Sequence, residues 1–233
     1  MSWDEVAARV VPAQGVTLAA PTVLTALAAA LVVVGVAPVW QALRVVVTLV
    51  HELGHALVGI AVGRRFTGFV LRGDMSGHAV TVGPSRGAGR VLTTWAGYPA
   101  PAVLGAVLVW AAGRGWSAPM VSAGLVVLVV ALLRARSALT AVVMLLALAA
   151  DAALWWWRDD RLQATVLVAL GVVLLVGAWR HLAAVRSSRD RASDPAVLAA
   201  LTRVPRGLWT ASFAVVCAAA TVAAVRVLLD LVR

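Results

Sequence analysis

The sequence contains a single cysteine, Cys217, so no intrachain disulfide can form and the redox compartment cannot be read from pairing. Its position in the last apolar block gives it the character of a small buried apolar residue. Charge is scarce as well: only 13% of the 233 residues are charged, and just two are glutamates, Glu5 and Glu52. No glycine-rich nucleotide fingerprint, serine nucleophile elbow or cysteine metal cluster is present, which removes the commonest soluble enzyme classes. The first 15 residues, with Asp4 and Glu5, lack a basic region abutting an apolar core. They do not read as a cleaved signal peptide, and the first apolar span is expected to stay as an anchor. No internal repeat is evident by eye.

What fills the chain is apolar: 62% of residues are hydrophobic and the mean hydropathy is +0.95. Such values lie far from those of ordinary soluble domains. The apolar residues come in blocks of roughly 18 to 25, the length a helix needs to cross about 30 Å of hydrocarbon. About seven blocks can be counted, near residues 20 to 37, 38 to 63, 90 to 112, 117 to 134, 137 to 157, 162 to 180 and 208 to 229. The expected fold is an all-α polytopic membrane protein forming one domain over residues 1–233, with a small β-hairpin over 66–83 and a polar loop over 181–206.

The net charge of +10 is not massed on one amphipathic face, which argues against a nucleic-acid module. Arginines instead collect in alternate loops: Arg64, Arg65, Arg72, Arg86 and Arg90, then Arg134 and Arg136, then Arg180 through Arg206. Placed in the cytoplasm, these loops satisfy the positive-inside bias, and with seven spans they put the N-terminus inside as well. This topology fits a bacterial cytoplasmic membrane, with anionic lipid as the partner of the basic charge.

Residues 66–83 alternate as strands do, with Phe69 and Leu71 before a Gly/Asp/Ser turn and Ala79, Val80 and Val82 after it. The hairpin is expected near the inner membrane surface. Residues 69–82 offer an edge on which a substrate could pair in extended form, or serve packing alone. Pro99 and Pro101 are expected to kink or delay the third span. Trp155, Trp156 and Trp157 read as an interfacial belt. Ser193, Asp194 and Pro195 before Val197, Leu198 and Leu201 signal a helix start within the last polar loop, on the inner surface.

The second span contains His51-Glu52-Leu53-Gly54-His55, an HExxH motif. On a helix, positions i and i+4 share a face, so both imidazoles can point at one zinc ion. Glu52 is about 100° round the helix and can take the proton from a water in the ion's open position. By chance such a motif arises in about one chain in a hundred of this length. Its setting adds weight, because charged groups in a membrane helix cost roughly 2.5 to 3.5 kcal/mol each unless they pair or bind something.

HELGHALVG resembles the zinc-binding helix of the site-2-protease family of intramembrane metallopeptidases. Three further stretches are similar to the bacterial M50B-like branch: DMSGHAVTVG after the motif, AGYPAP at residues 96–101 and SDPAVLAALTRVPRGLW at 193–209. The resemblance implies a zinc-dependent endopeptidase cutting membrane-protein or peptide substrates within or beside the bilayer. Members take a third zinc ligand from an Asp-Gly pair on a later span, and none of the eight aspartates here precedes a glycine. Three candidates remain. Asp194 lies in a family-like stretch, though a helix N-cap would explain it. Asp151 is the one Asp inside a span, at about 22 Å from the inner face against about 20 Å for His51. Asp74 requires the hairpin to fold back into the membrane. The resemblance favours Asp194.

A catalytically inactive scaffold that keeps the fold is the competing reading, supported by the missing Asp-Gly pair. A transporter would spread its polar residues over several spans, whereas here they concentrate in one helix.

Overall fold

The computed structural model describes residues 2–13 and 18–232. Its elements in chain order are α1 (Trp3–Val10), α2 (Ala20–Gly35), α3 (Ala37–Ala61), β1 (Arg65–Leu71), β2 (Gly77–Val82), α4 (Ala88–Trp95), α5 (Pro99–Gly113), α6 (Ser117–Leu132), α7 (Ala138–Trp156), α8 (Asp160–Ser187), α9 (Asp194–Thr202) and α10 (Arg206–Val232). Among the described residues, α3, α7, α8 and α10 are each long and apolar enough to cross a membrane. The pair α4 and α5 makes a fifth if taken as one span bent by 60°. The bend falls where Pro99 opens α5, as proline's missing N–H and fixed φ dictate. The blocks at 20 to 37 and 117 to 134 form helices of 16 residues, about 24 Å each.

α8 is the axis of the bundle. Against it α5 packs closely, because a Cβ at Gly105 would meet the Gly171 carbonyl at 2.6 Å and one at Gly171 the Gly105 carbonyl at 2.7 Å. Leu18, Val23 and Ala26 share one buried apolar cluster with Ala164, Leu167 and Val168. Trp40, by contrast, lies beside Gly177 and under the Arg180 guanidinium, 4.5 Å from its ring centroid. α2 therefore runs parallel to α8. Cys217 is fully buried among Ala102, Val109, Leu175 and Ala178, as its apolar setting implies.

The two ends of the bundle differ. At one end, Arg9 donates to the Trp156 carbonyl (3.3 Å) and stacks on Trp155 and Trp156, Arg158 donates to the Ala8 carbonyl, and Ala13 N–H donates to the Gly115 carbonyl (2.9 Å). At the other end lie the hairpin, Arg134, Arg136 and the 181–206 loop. The N-terminal segment thus packs at the end of the bundle away from the hairpin and the 181–206 loop. α3 leads from the end of α2 to the hairpin. It starts at Trp40 beside Gly177 and Arg180, and its second half packs on α4, which shares an apolar cluster with Leu182 and Val185.

The hairpin forms over the expected residues, antiparallel, with Phe69 opposite Ala79 and Leu71 opposite Gly77. A bulge at Phe66–Gly68 uses a positive φ of 140° at Gly68, where a Cβ would stand 2.5 Å from the Arg134 carbonyl. Phe69 then pairs with the 134–136 turn through two backbone hydrogen bonds of 3.1 Å, so β1 is no longer a free edge. The tip folds back along α3: Arg44 Nη2 donates to the Asp74 carbonyl (2.9 Å) and Thr48 Oγ1 to the Met75 carbonyl (2.8 Å).

Candidate metal centre

His51, Glu52 and His55 sit on the α3 face toward a cavity of about 1010 Å³, walled by the hairpin, α4, the end of α8 and the start of α9. Val185 and Ser188 line it too, so the centre lies near the arginine-rich end of α8.

Asp194 enters this cavity from α9. It is the first residue of that helix, behind Ser193 as N-cap and before Pro195, and its side chain makes no capping bond. Its Oδ2 lies 3.3 Å from His51 Nε2 and 3.3 Å from His55 Nε2, and the two imidazole nitrogens are 3.1 Å apart. Burial alone would raise the Asp194 carboxyl, but the His55 and His51 rings against it hold it below the ordinary carboxylate range.

The geometry suits a metal. In a tetrahedral site with bonds of about 2.0 to 2.1 Å, ligand atoms stand about 3.3 Å from one another. The three edges of 3.1, 3.3 and 3.3 Å match that figure. Asp194 Oδ2 is buried without a hydrogen-bond partner among the described residues, an orphan that a cation would satisfy. Among the described residues this is the one group of three or more His, Cys, Asp or Glu able to share an ion.

Local structure explains why the nitrogens converge. α4 ends at Trp95, and the last carbonyls of a helix have no partner inside it. One of them, Thr93 C=O, accepts from His55 Nδ1 at 2.7 Å. A carbonyl only accepts, so Nδ1 carries the proton and Nε2 keeps its lone pair for a metal. His51 is held otherwise, by edge-to-face contact with Tyr98 at 4.8 Å and 89°, and its buried Nδ1 has no partner. Tyr98 stacks in turn on Phe213 at 5.2 Å. Gly97 makes room for both rings: a Cβ there would collide with His55 Nε2 and stand 2.5 Å from His55 Cε1 and 2.7 Å from His51 Cε1.

Glu52 is buried, 5% exposed, and makes no hydrogen bond among the described residues. It lies against β2 at Gly77, where a Cβ would be 2.6 Å from both Cγ and Oε1 of Glu52.

The other candidates fall outside the group. Asp74 Oδ1 accepts from Ser76 N–H (2.9 Å) and Ser76 Oγ (2.7 Å), an Asx turn at the hairpin tip that holds its carboxyl below the usual range. It lines the cavity without joining the histidines. Asp151 lies in α7 against Gly124 of α6. His78 and His181 line the cavity wall. Thr93, Gly97, Tyr98 and Gly77 are the residues that sequence reasoning missed as functional. AGYPAP pointed to the right segment, but only three-dimensional packing ties it to the imidazoles.

The comparisons agree with this architecture. A family model described as Peptidase M50B-like matches residues 24–224. The chain belongs to that family, a branch of the site-2-protease group of intramembrane metallopeptidases. Neither the curated proteins nor the solved structures gave a match.

Proposed function

We propose that this protein is an active zinc endopeptidase that cuts membrane-protein substrates within or beside the bilayer, with His51, His55 and Asp194 as metal ligands and Glu52 as general base. The observation that carries this reading is the triangle of three donor atoms at 3.1 to 3.3 Å, one of them an orphaned carboxylate oxygen.

A bound zinc ion would polarise the scissile carbonyl and lower the pKa of a water towards about 7. The chain's own residues do the rest. Glu52, free of partners, takes the proton of the attacking water on its carboxyl group and returns it to the leaving nitrogen. Thr93 and Tyr98 hold the two imidazoles, and Asp194 supplies the negative charge that offsets the cation. Gly77, His78, Ala79 and Thr81 of β2 line the same cavity, and β2 makes no backbone pairing on its outer side among the described residues. β2, and not β1, is the edge against which a substrate would be drawn out of its helix.

With the arginine-rich end in the cytoplasm, the centre opens near the inner face and the N-terminus lies outside. The inactive-scaffold reading keeps one specific observation, since His51 Nδ1 lacks the outer partner that ligating histidines normally have.

The test is zinc content of detergent-purified protein beside cleavage of a membrane substrate. Near-stoichiometric zinc is expected in the wild type and in Asp151→Ala and Asp74→Ala, with loss in His55→Ala and Asp194→Ala. Glu52→Gln should keep the zinc and abolish cleavage. Zinc retained by Asp194→Ala would refute the ligand assignment, and cleavage unaffected by Glu52→Gln would refute the mechanism.

A further inference from the structure

A second cavity, about 750 Å³, opens between the end of α8 and the start of α10. Its apolar wall is made by Trp179, Leu182, Ala211 and Ala214, and two cations line it, Arg186 and Arg206. Among the described residues no acidic side chain lines it. Arg186 is exposed and makes no hydrogen bond or ion pair among the described residues. Arg206 is half-buried and spends one nitrogen on the protein: Nη2 donates to the Ser188 carbonyl and to Ser193 Oγ, each at 3.2 Å. Its other N–H groups have no partner among the described residues.

Charge and shape select the occupant. A guanidinium pair at the mouth of an apolar groove complements a molecule with a phosphate at one end and hydrocarbon at the other. The groove lies at the arginine-rich end of the bundle, where arginines meet the anionic leaflet in the usual topology. We propose that it holds one anionic phospholipid, with its phosphate between Arg186 and Arg206 and an acyl chain along Trp179, Leu182, Ala211 and Ala214.

The position has a consequence for the neighbouring loop. Arg206 grips residues 188 and 193, and the next residue is Asp194. A phosphate on the free face of Arg206 fixes that guanidinium and with it the segment that presents Asp194. Lipid binding itself does not depend on the peptidase reading and is measured without it.

The experiment uses delipidated full-length protein in mild detergent, titrated with phosphatidylglycerol or phosphatidylcholine and read by native mass spectrometry. One phosphatidylglycerol per chain is expected, held well above phosphatidylcholine. Arg186→Gln, whose side chain has no internal role, should weaken phosphatidylglycerol about five-fold, the scale of one arginine at an anionic surface. Arg189→Gln, in the same loop but outside the groove, should leave it unchanged. Equal retention of the two lipids, or indifference to Arg186→Gln, would reduce the groove to an ordinary part of the lipid annulus and overturn the proposal. Displacement of phosphatidylglycerol by millimolar inorganic phosphate would do the same, because the ligand would then be free phosphate.

Discussion

Replacing Gly97 by alanine tests the metal centre at a residue that is neither ligand nor base. Gly97 sits in the break between α4 and α5 with no positive φ, so alanine costs the backbone little. The added methyl has nowhere to go. It would collide with His55 Nε2 and stand 2.5 Å from His55 Cε1 and 2.7 Å from His51 Cε1, where ordinary contact begins near 3.4 Å. Something must give by roughly 1 Å, whereas metal–ligand distances tolerate about 0.2 Å. The His55 ring cannot retreat freely, because Nδ1 is tied to Thr93 at 2.7 Å. Loss of an outer partner alone costs about 10- to 100-fold in metal affinity, and displacing a ligand nitrogen should reach at least the upper figure. The assay is zinc retention against a chelator of known affinity, with Gly35→Ala, which meets nothing within 4 Å, as the control. Folding is checked by far-UV circular dichroism and gel filtration. Wild-type zinc affinity in a folded Gly97→Ala protein would refute the claim that these nitrogens form the site.

Three other outcomes are expected. Gly77→Ala presses on Glu52 at 2.6 Å and leaves the ligands alone, so it should lower cleavage by about 100-fold while zinc content stays at one, as loss of a general base does; parallel loss of zinc and cleavage would contradict this. For pH, the folded Asp194 carboxyl lies below its unfolded value, so its contribution is complete above about pH 4 and fades only below it; the thermal midpoint of the zinc-free protein should fall from pH 4 to pH 2 in the wild type and much less in Asp194→Asn, and equal falls in both would remove Asp194 as the cause. Cys217 is buried, so a single introduced cysteine can report sidedness: Ser2→Cys and Ser187→Cys should label from opposite faces of intact inverted and right-side-out vesicles, and labelling from one face would restore the original topology.

Local patterns in the sequence were enough for the elements and for half of the site. Each of the seven apolar blocks became helix, one of them as the bent pair α4 and α5, because block length and proline position are local properties, and the hairpin formed at its expected residues because alternation and a Gly/Asp/Ser turn are local too. HExxH is read the same way, since one helix puts both histidines on one face. What local patterns could not supply was non-local, and only the family resemblance pointed to Asp194. Asp194 is 139 residues from His55 in the chain, and its nearness depends on how far α8 extends before the loop turns back. The apolar block ends near residue 180, but the helix continues to Ser187 through Arg180, His181 and Arg186. That added length brings the loop beside the cavity and Asp194 onto the imidazoles. Asp151 matched in depth but belongs to α7, which meets α6 and the hairpin and lines no part of the cavity.

Sidedness in the membrane is likewise not a local property. Charge bias sorts loops between two sides but counts every apolar block as a crossing. α3 passes that count on length and composition, and its contacts run from Arg180 near its start, past Gly177 at Val47, to Thr93 and Thr81 towards its end. An apolar helix that carries two histidines and a glutamate must satisfy them, because each unpaired charge in hydrocarbon costs roughly 2.5 to 3.5 kcal/mol. α3 also sets the cavity beside the arginine-rich loops, within reach of water for hydrolysis. The cavity meets that need, because the chemistry proposed for Glu52 takes up a water molecule there at every turnover.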